Sequence, residues 1–91
     1  MLGITKKGEK VWVTFTAPVE ESEAVELMGD WNDWEPEVMK QKKNGDFYLT
    51  KVLDAGSVYQ FGYHNDGEWV IDETLESVES PFGSHNSVLE L

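Results

Sequence analysis

Cysteine is absent from the 91 residues, so neither a disulfide framework nor a thiolate metal or redox site is available. Arginine is absent as well. All seven basic residues are lysines, set against eighteen Asp and Glu for a formal net charge of −11. That balance argues against nucleic acid, whose phosphates need a basic face. The Lys40, Lys42, Lys43 cluster is too small to reverse it and lacks the planar guanidinium fork suited to phosphate. An anionic membrane surface is disfavoured on the same ground. No run approaches the ~20 apolar residues of a membrane span. The opening MLGITKKGEK lacks the continuous apolar segment of a signal peptide, so the expected setting is cytoplasmic. Helix signals are also scarce. What remains open is a neutral ligand or a basic protein partner, with the run Glu20, Glu21, Glu23, Glu26 read as a solvated acidic loop.

What is present suits one folded domain spanning 1–91: a hydrophobic content of 40% with four tryptophans excludes a disordered chain. Short alternating segments recur. VWVTFT (11–16) sets Val11, Val13 and Phe15 on one face and Trp12 on the other, where it should lie against a neighbouring strand's outer face. AVELMG (24–29) sets Val25 and Leu27 together. Asn44-Gly45 lies between two extended stretches and reads as a two-residue hairpin turn with both positions at positive φ. Beyond it, Phe47, Leu49 and Lys51 alternate with Tyr48, Thr50 and Val52, which leaves the inner face undecided. VYQFGYH (58–64) sets Tyr59, Phe61 and Tyr63 on one face and Val58, Gln60 and Gly62 on the other. Asn65-Asp66-Gly67 turns the chain into EWVID, and NSVLEL follows a polar loop. The expectation is an all-β, antiparallel β-sandwich of about seven strands.

The stretch GDWNDWEP (29–36) separates two tryptophans by a turn. Trp31 continues the inward row of Val25, Leu27 and Gly29, and reads as a plug at the end of the sandwich. Trp34 lies beyond Asn32-Asp33. Pro36 biases Glu35 to an extended conformation, which should hold Trp34 proud of the turn. Trp69 follows a second turn. Two turn-proximal indoles beside short polar side chains suit a sugar: the ring covers the C–H face, and an amide or hydroxyl satisfies the hydroxyl rim. Gly62 would lower the floor of such a platform, and Gln60 beside it could donate or accept.

VELMGDWNDWEPEVM, NGDFYLTKVLDAGSVYQFGYHNDGEWVID and PFGSHNSVLEL together resemble the early-set, immunoglobulin-like sandwich module that binds glycogen and starch. That module precedes the catalytic domains of isoamylases and branching enzymes and occurs in the beta subunits of AMP-activated protein kinase. The resemblance covers 24–91 and extends toward residue 10. It implies binding of α-glucan polysaccharide or oligosaccharide without catalysis and without a cofactor, alongside an associated enzyme. Residue by residue, it puts the stacking tryptophans at Trp34 and Trp69. It puts the apolar residue that enters the sugar coil at Phe82, the hydroxyl at Ser84 and the hydrogen-bonding asparagine at Asn86. A sugar platform, unlike a broader protein interface, needs Trp34, Trp69 and Phe82 co-facial with Asn86 between them. Gln60 stands where glycogen-binding members usually carry lysine.

Competing readings are weaker. Glycoside hydrolysis needs two carboxylates roughly 5–9.5 Å apart in a water-excluding cleft, and no pair among the eighteen acids stands out. His64 and His85 with Asp66 and Asp72 match no known ligand spacing, and Asp30, Asn32, Asp66 and Gly67 fail the calcium-loop pattern. No catalytic or metal residue is expected. The alternative function is a sandwich whose exposed aromatics dock another protein, such as an α-glucan-active enzyme or a kinase assembly, after loss of sugar binding.

Overall fold

The computed structural model describes residues 2–19, 22–81 and 83–91. Glu20, Glu21 and the candidate site residue Phe82 lie outside them. Among the described residues ten strands run in the order β1 (Leu2–Lys7), β2 (Lys10–Thr16), β3 (Val25–Gly29), β4 (Glu37–Val38), β5 (Lys40–Gln41), β6 (Phe47–Asp54), β7 (Val58–Asn65), β8 (Glu68–Val70), β9 (Ser77–Glu79) and β10 (His85–Glu90). A 3-10 turn, Asp30–Asn32, separates β3 from β4. The count exceeds the expected seven because Met39 splits one strand into β4 and β5, and because β1 and β9 add to the edges. Both added strands are largely exposed, so they carry little alternation for a sequence to display.

The strands form two antiparallel sheets, ordered β1-β2-β6-β5 and β4-β3-β7-β10-β9, with β8 on the same edge of β7 as β10. Their facing sides make the core. Val11, Val13 and Phe15 from β2 and Phe47 and Leu53 from β6 meet Val25 and Leu27 from β3, Phe61 and Tyr63 from β7, and Leu89 from β10. These are the rows that alternation puts inward. On β6, the inner row includes Lys51, whose ammonium lies 2.6 Å from Oε1 of Glu37. Half-burying both partners of this pair lets a lysine occupy an inward position.

Trp31 closes one end of the core. It sits in the 3-10 turn rather than on β3, half-buried, with its ring 5.3 Å from Phe15 and 6.3 Å from Phe61. Its indole N–H donates to Oε2 of Glu37 at 3.2 Å, so one carboxylate ties Trp31 to Lys51. The ring folds back over Gly29, where any Cβ would overlap it. Trp12 lies on the outer side of the first sheet, in register with Thr5 and Val52 and 39% exposed. The Lys7 ammonium stands 5.6 Å from its ring.

Two turns exchange roles. At Asn44-Gly45 only Gly45 has positive φ, and Gly45 N–H donates to Lys42 O while Lys42 N–H donates to Asp46 O. This is a three-residue loop with a left-handed glycine, not the two-residue turn expected. The two-residue turn is instead Asp66-Gly67, with φ of 48° and 84°, closing β7 onto β8. Glu26, read with the acidic loop, lies on β3 beside His64 at 3.4 Å. Among the described residues no helix is long and apolar enough to cross a membrane.

Two stability predictions follow from this core. Trp31→Ala should cost on the order of 3–5 kcal/mol in urea unfolding, as a large-to-small change that also removes one of the two donors to Glu37. Tyr63 is fully buried, and burial holds its phenol far above the ordinary 10.0, with the Asp72 carboxylate adding to the effect. The folded state therefore keeps a proton that the unfolded state releases above about pH 10, so this contribution to stability is complete below that pH and falls as pH rises past it. The Tyr63 hydroxyl has no hydrogen-bond partner among the described residues. Tyr63→Phe should thus change stability at pH 7 by less than ~1 kcal/mol and flatten its decline toward pH ~11. Urea melts at the two pH values check both.

Candidate functional site

The outer side of the second sheet carries the complementary rows: Glu26 and Met28 from β3, Gln60, Gly62 and His64 from β7, Trp69 from β8, and Asn86 and Val88 from β10. Met28 is paired with Gly62, and Trp69 with His64. An aromatic side chain reaches its diagonal neighbour across an antiparallel pair, and the diagonal neighbour of Trp69 is Gly62. The indole of Trp69 lies directly on that glycine; a methyl there would overlap the six-membered ring. Its N–H donates to the His85 carbonyl at 2.8 Å, which fixes the ring over the sheet.

Trp34 reaches the same place from the turn. Asp33 and Trp34 both adopt left-handed φ, 60° and 64°. Such a conformation is costly for a bulky residue and persists where the surroundings over-determine it. Here Trp34 N–H donates to Gly29 O at 2.9 Å, and Asn32 Nδ2 donates to Glu35 O at 3.3 Å. The left-handed pair swings the indole out of the turn and toward Trp69. The ring centroids are 6.3 Å apart and the planes inclined by 54°. The two indoles therefore share one outer face without lying in one plane; they form two sides of a shallow concave surface.

An open cavity of about 460 Å³ lies against these rings, lined by Met28, Asp30, Trp34, Gln60, Trp69, Ser80, Pro81, Ser84 and Asn86. Five candidate residues thus converge: Trp34, Trp69, Gln60, Ser84 and Asn86. Asn86 is 7% exposed and donates Nδ2–H to Oε1 of Gln60 at 3.2 Å. The Ser84 and Ser80 hydroxyls are 3.0 Å apart. Asp30 accepts the Gln60 backbone N–H at 3.1 Å through Oδ1. Met28 and Asp30 were not singled out from sequence, although continuing the outward row Glu26, Met28 by one step reaches Asp30. Ser80 and Pro81 come from the loop after β9, which alternation cannot place. Among the described residues no three His, Asp or Glu side chains gather as a metal site would need.

A β-sandwich with an open, aromatic-walled cavity on its outer face has the build of a binding module. Residues 10–91 match the family described as the glycogen recognition site of AMP-activated protein kinase, and the chain belongs to that family. It is 28% identical over 67 residues to the SNF1-related protein kinase regulatory subunit beta-2 of Arabidopsis thaliana, an alignment covering 74% of this chain and 23% of the relative. Among solved structures it is similar to a type I pullulanase from Bacillus subtilis complexed with maltose, at 25% identity and a TM-score of 0.48, covering 99% of this chain and 13% of that one. The chain thus spans about a quarter or less of the length of either protein.

The packing of Trp69 on Gly62 generates a prediction. Gly62→Ala should lift the indole off the sheet and break its bond to the His85 carbonyl, without altering the core rows. Tryptophan emission should shift to the red while the urea midpoint falls only modestly.

Proposed function

We propose that this chain is a single, non-catalytic domain that binds α-glucan, namely glycogen, starch or maltooligosaccharides. Trp34 and Trp69 stack on the apolar faces of successive glucose rings. Gln60, Ser84 and Asn86 hydrogen-bond the hydroxyl rim, and Phe82 fills the inside of the glucan coil. The observation that carries this reading is the pair of indoles inclined by 54° at one cavity with the three polar residues beside them. An α-1,4-glucan is helical, so neighbouring rings present faces at an angle, and inclined indoles suit it better than a flat wall would. Membership of a glycogen-recognition family supports the same ligand class.

Binding by stacking on an open surface gives modest affinity for short oligosaccharides and gains on polymers through repeated contacts. The domain acts as an accessory to a catalytic partner, a reading supported by the kinase regulatory subunit it resembles. A cytoplasmic setting accords with the absence of cysteine.

Titration with maltoheptaose should quench or shift tryptophan emission, and glycogen should retard the protein in a native gel. Trp34→Ala should abolish both responses while costing less than ~1 kcal/mol of stability, since it removes a half-buried ring held in an unfavourable backbone conformation. Unchanged emission and migration at millimolar sugar would refute the proposal. A loss of stability equal to that of Trp31→Ala would assign Trp34 to the core instead.

A further inference from the structure

The polar groups of the cavity are unequal in kind. Trp69 has already spent its indole N–H on the His85 carbonyl. The amides of Gln60 and Asn86 bond each other, and either orientation of that pair leaves three N–H protons and one carbonyl oxygen uncommitted. The Ser80 and Ser84 hydroxyls are within bonding distance of one another, so together they offer at most one outward proton. Asp30 adds a carboxylate that donates nothing. Among the described residues it is also the only formally charged side chain in the lining.

Positive charge is placed elsewhere. All seven lysines lie on the first sheet and its loops: Lys6 and Lys7 on β1, Lys10 on β2, Lys40 on β5, Lys42 and Lys43 in the following loop, and Lys51 on β6. The neighbours of the cavity in sequence, Asp33, Glu35 and Glu79, are acidic and exposed. A ligand here meets amide and hydroxyl groups that can both donate and accept, and among the described lining residues no cation to receive an anionic oxygen. Sugar hydroxyls satisfy such groups, whereas the charge of a phosphate ester is repelled by the Asp30 carboxylate.

Resting on the glucan reading above, we propose that the cavity is a filter for uncharged glucan. It binds the hydroxyls of a neutral chain through its amides and serines and rejects a chain carrying phosphate esters, with Asp30 as the specificity-determining residue. Gln60 contributes by holding a polar position without adding a cation.

The test compares maltoheptaose with a singly phosphorylated maltoheptaose by tryptophan fluorescence. At low ionic strength the phosphorylated sugar should bind the wild-type protein on the order of tenfold more weakly, as expected for a phosphate within several ångströms of a carboxylate in a solvated site. Salt should narrow that gap. Asp30→Asn, which keeps an acceptor for the Gln60 N–H, should narrow it severalfold. Gln60→Lys should bring the phosphorylated sugar level with or ahead of the neutral one. Glu90→Gln makes the same change in net charge away from the cavity and should leave the gap unaltered. Equal wild-type affinities for the two sugars would overturn the filter and leave the glucan reading intact. A gap that Asp30→Asn does not narrow, or that Glu90→Gln narrows equally, would also overturn it. Absence of maltoheptaose binding would remove both.

Discussion

The molecule depends on the two-fold alternation of one central strand. β7 sends Phe61 and Tyr63 into the core and presents Gln60 and Gly62 on the opposite side. It also pairs with β3 along one edge and with both β8 and β10 along the other, so it gathers nearly every strand that contributes to the cavity. A slip of one residue in its register would bury the amide and expose the aromatics. Core and site are therefore specified together, and the bulk of Phe61 and Tyr63 against Phe15 and Leu27 is what holds Gln60 and Gly62 in position.

Tryptophan serves both sides, and glycine makes room in each case. Trp31 folds over Gly29 and Trp69 lies on Gly62, so the two rings are seated by the absence of a side chain beneath them. Their polar edges are then tied down: Trp31 to Glu37, and Trp69 to the His85 carbonyl. The difference lies in what covers the other face. Trp31 is enclosed by Phe15, Tyr59 and Phe61, whereas among the described residues the ring that meets Trp69 is Trp34, at an oblique angle.

Much of this was legible in the residues. The inward rows of β2, β3 and β7 follow from alternation alone, as does the separation of Trp31 from Trp34 by a turn. The rest failed for identifiable reasons. β6 could not be oriented because Lys51 sits among Phe47, Leu49 and Leu53, and the carboxylate that makes this tolerable comes from Glu37 on another strand. The two turns could not be told apart because Asn-Gly and Asp-Gly are locally equivalent; strand register, a long-range property, decides which becomes the two-residue form. The 54° between the indoles depends on left-handed backbone at Asp33 and Trp34, which no side-chain pattern encodes. Phe82 lies outside the described residues.

The segregation of the lysines has a practical corollary. Because every side-chain primary amine belongs to the first sheet and its loops, coupling through amines to a resin, a sensor surface or a dye would act on that side of the domain. The tryptophan-walled cavity would be left pointing away from the support.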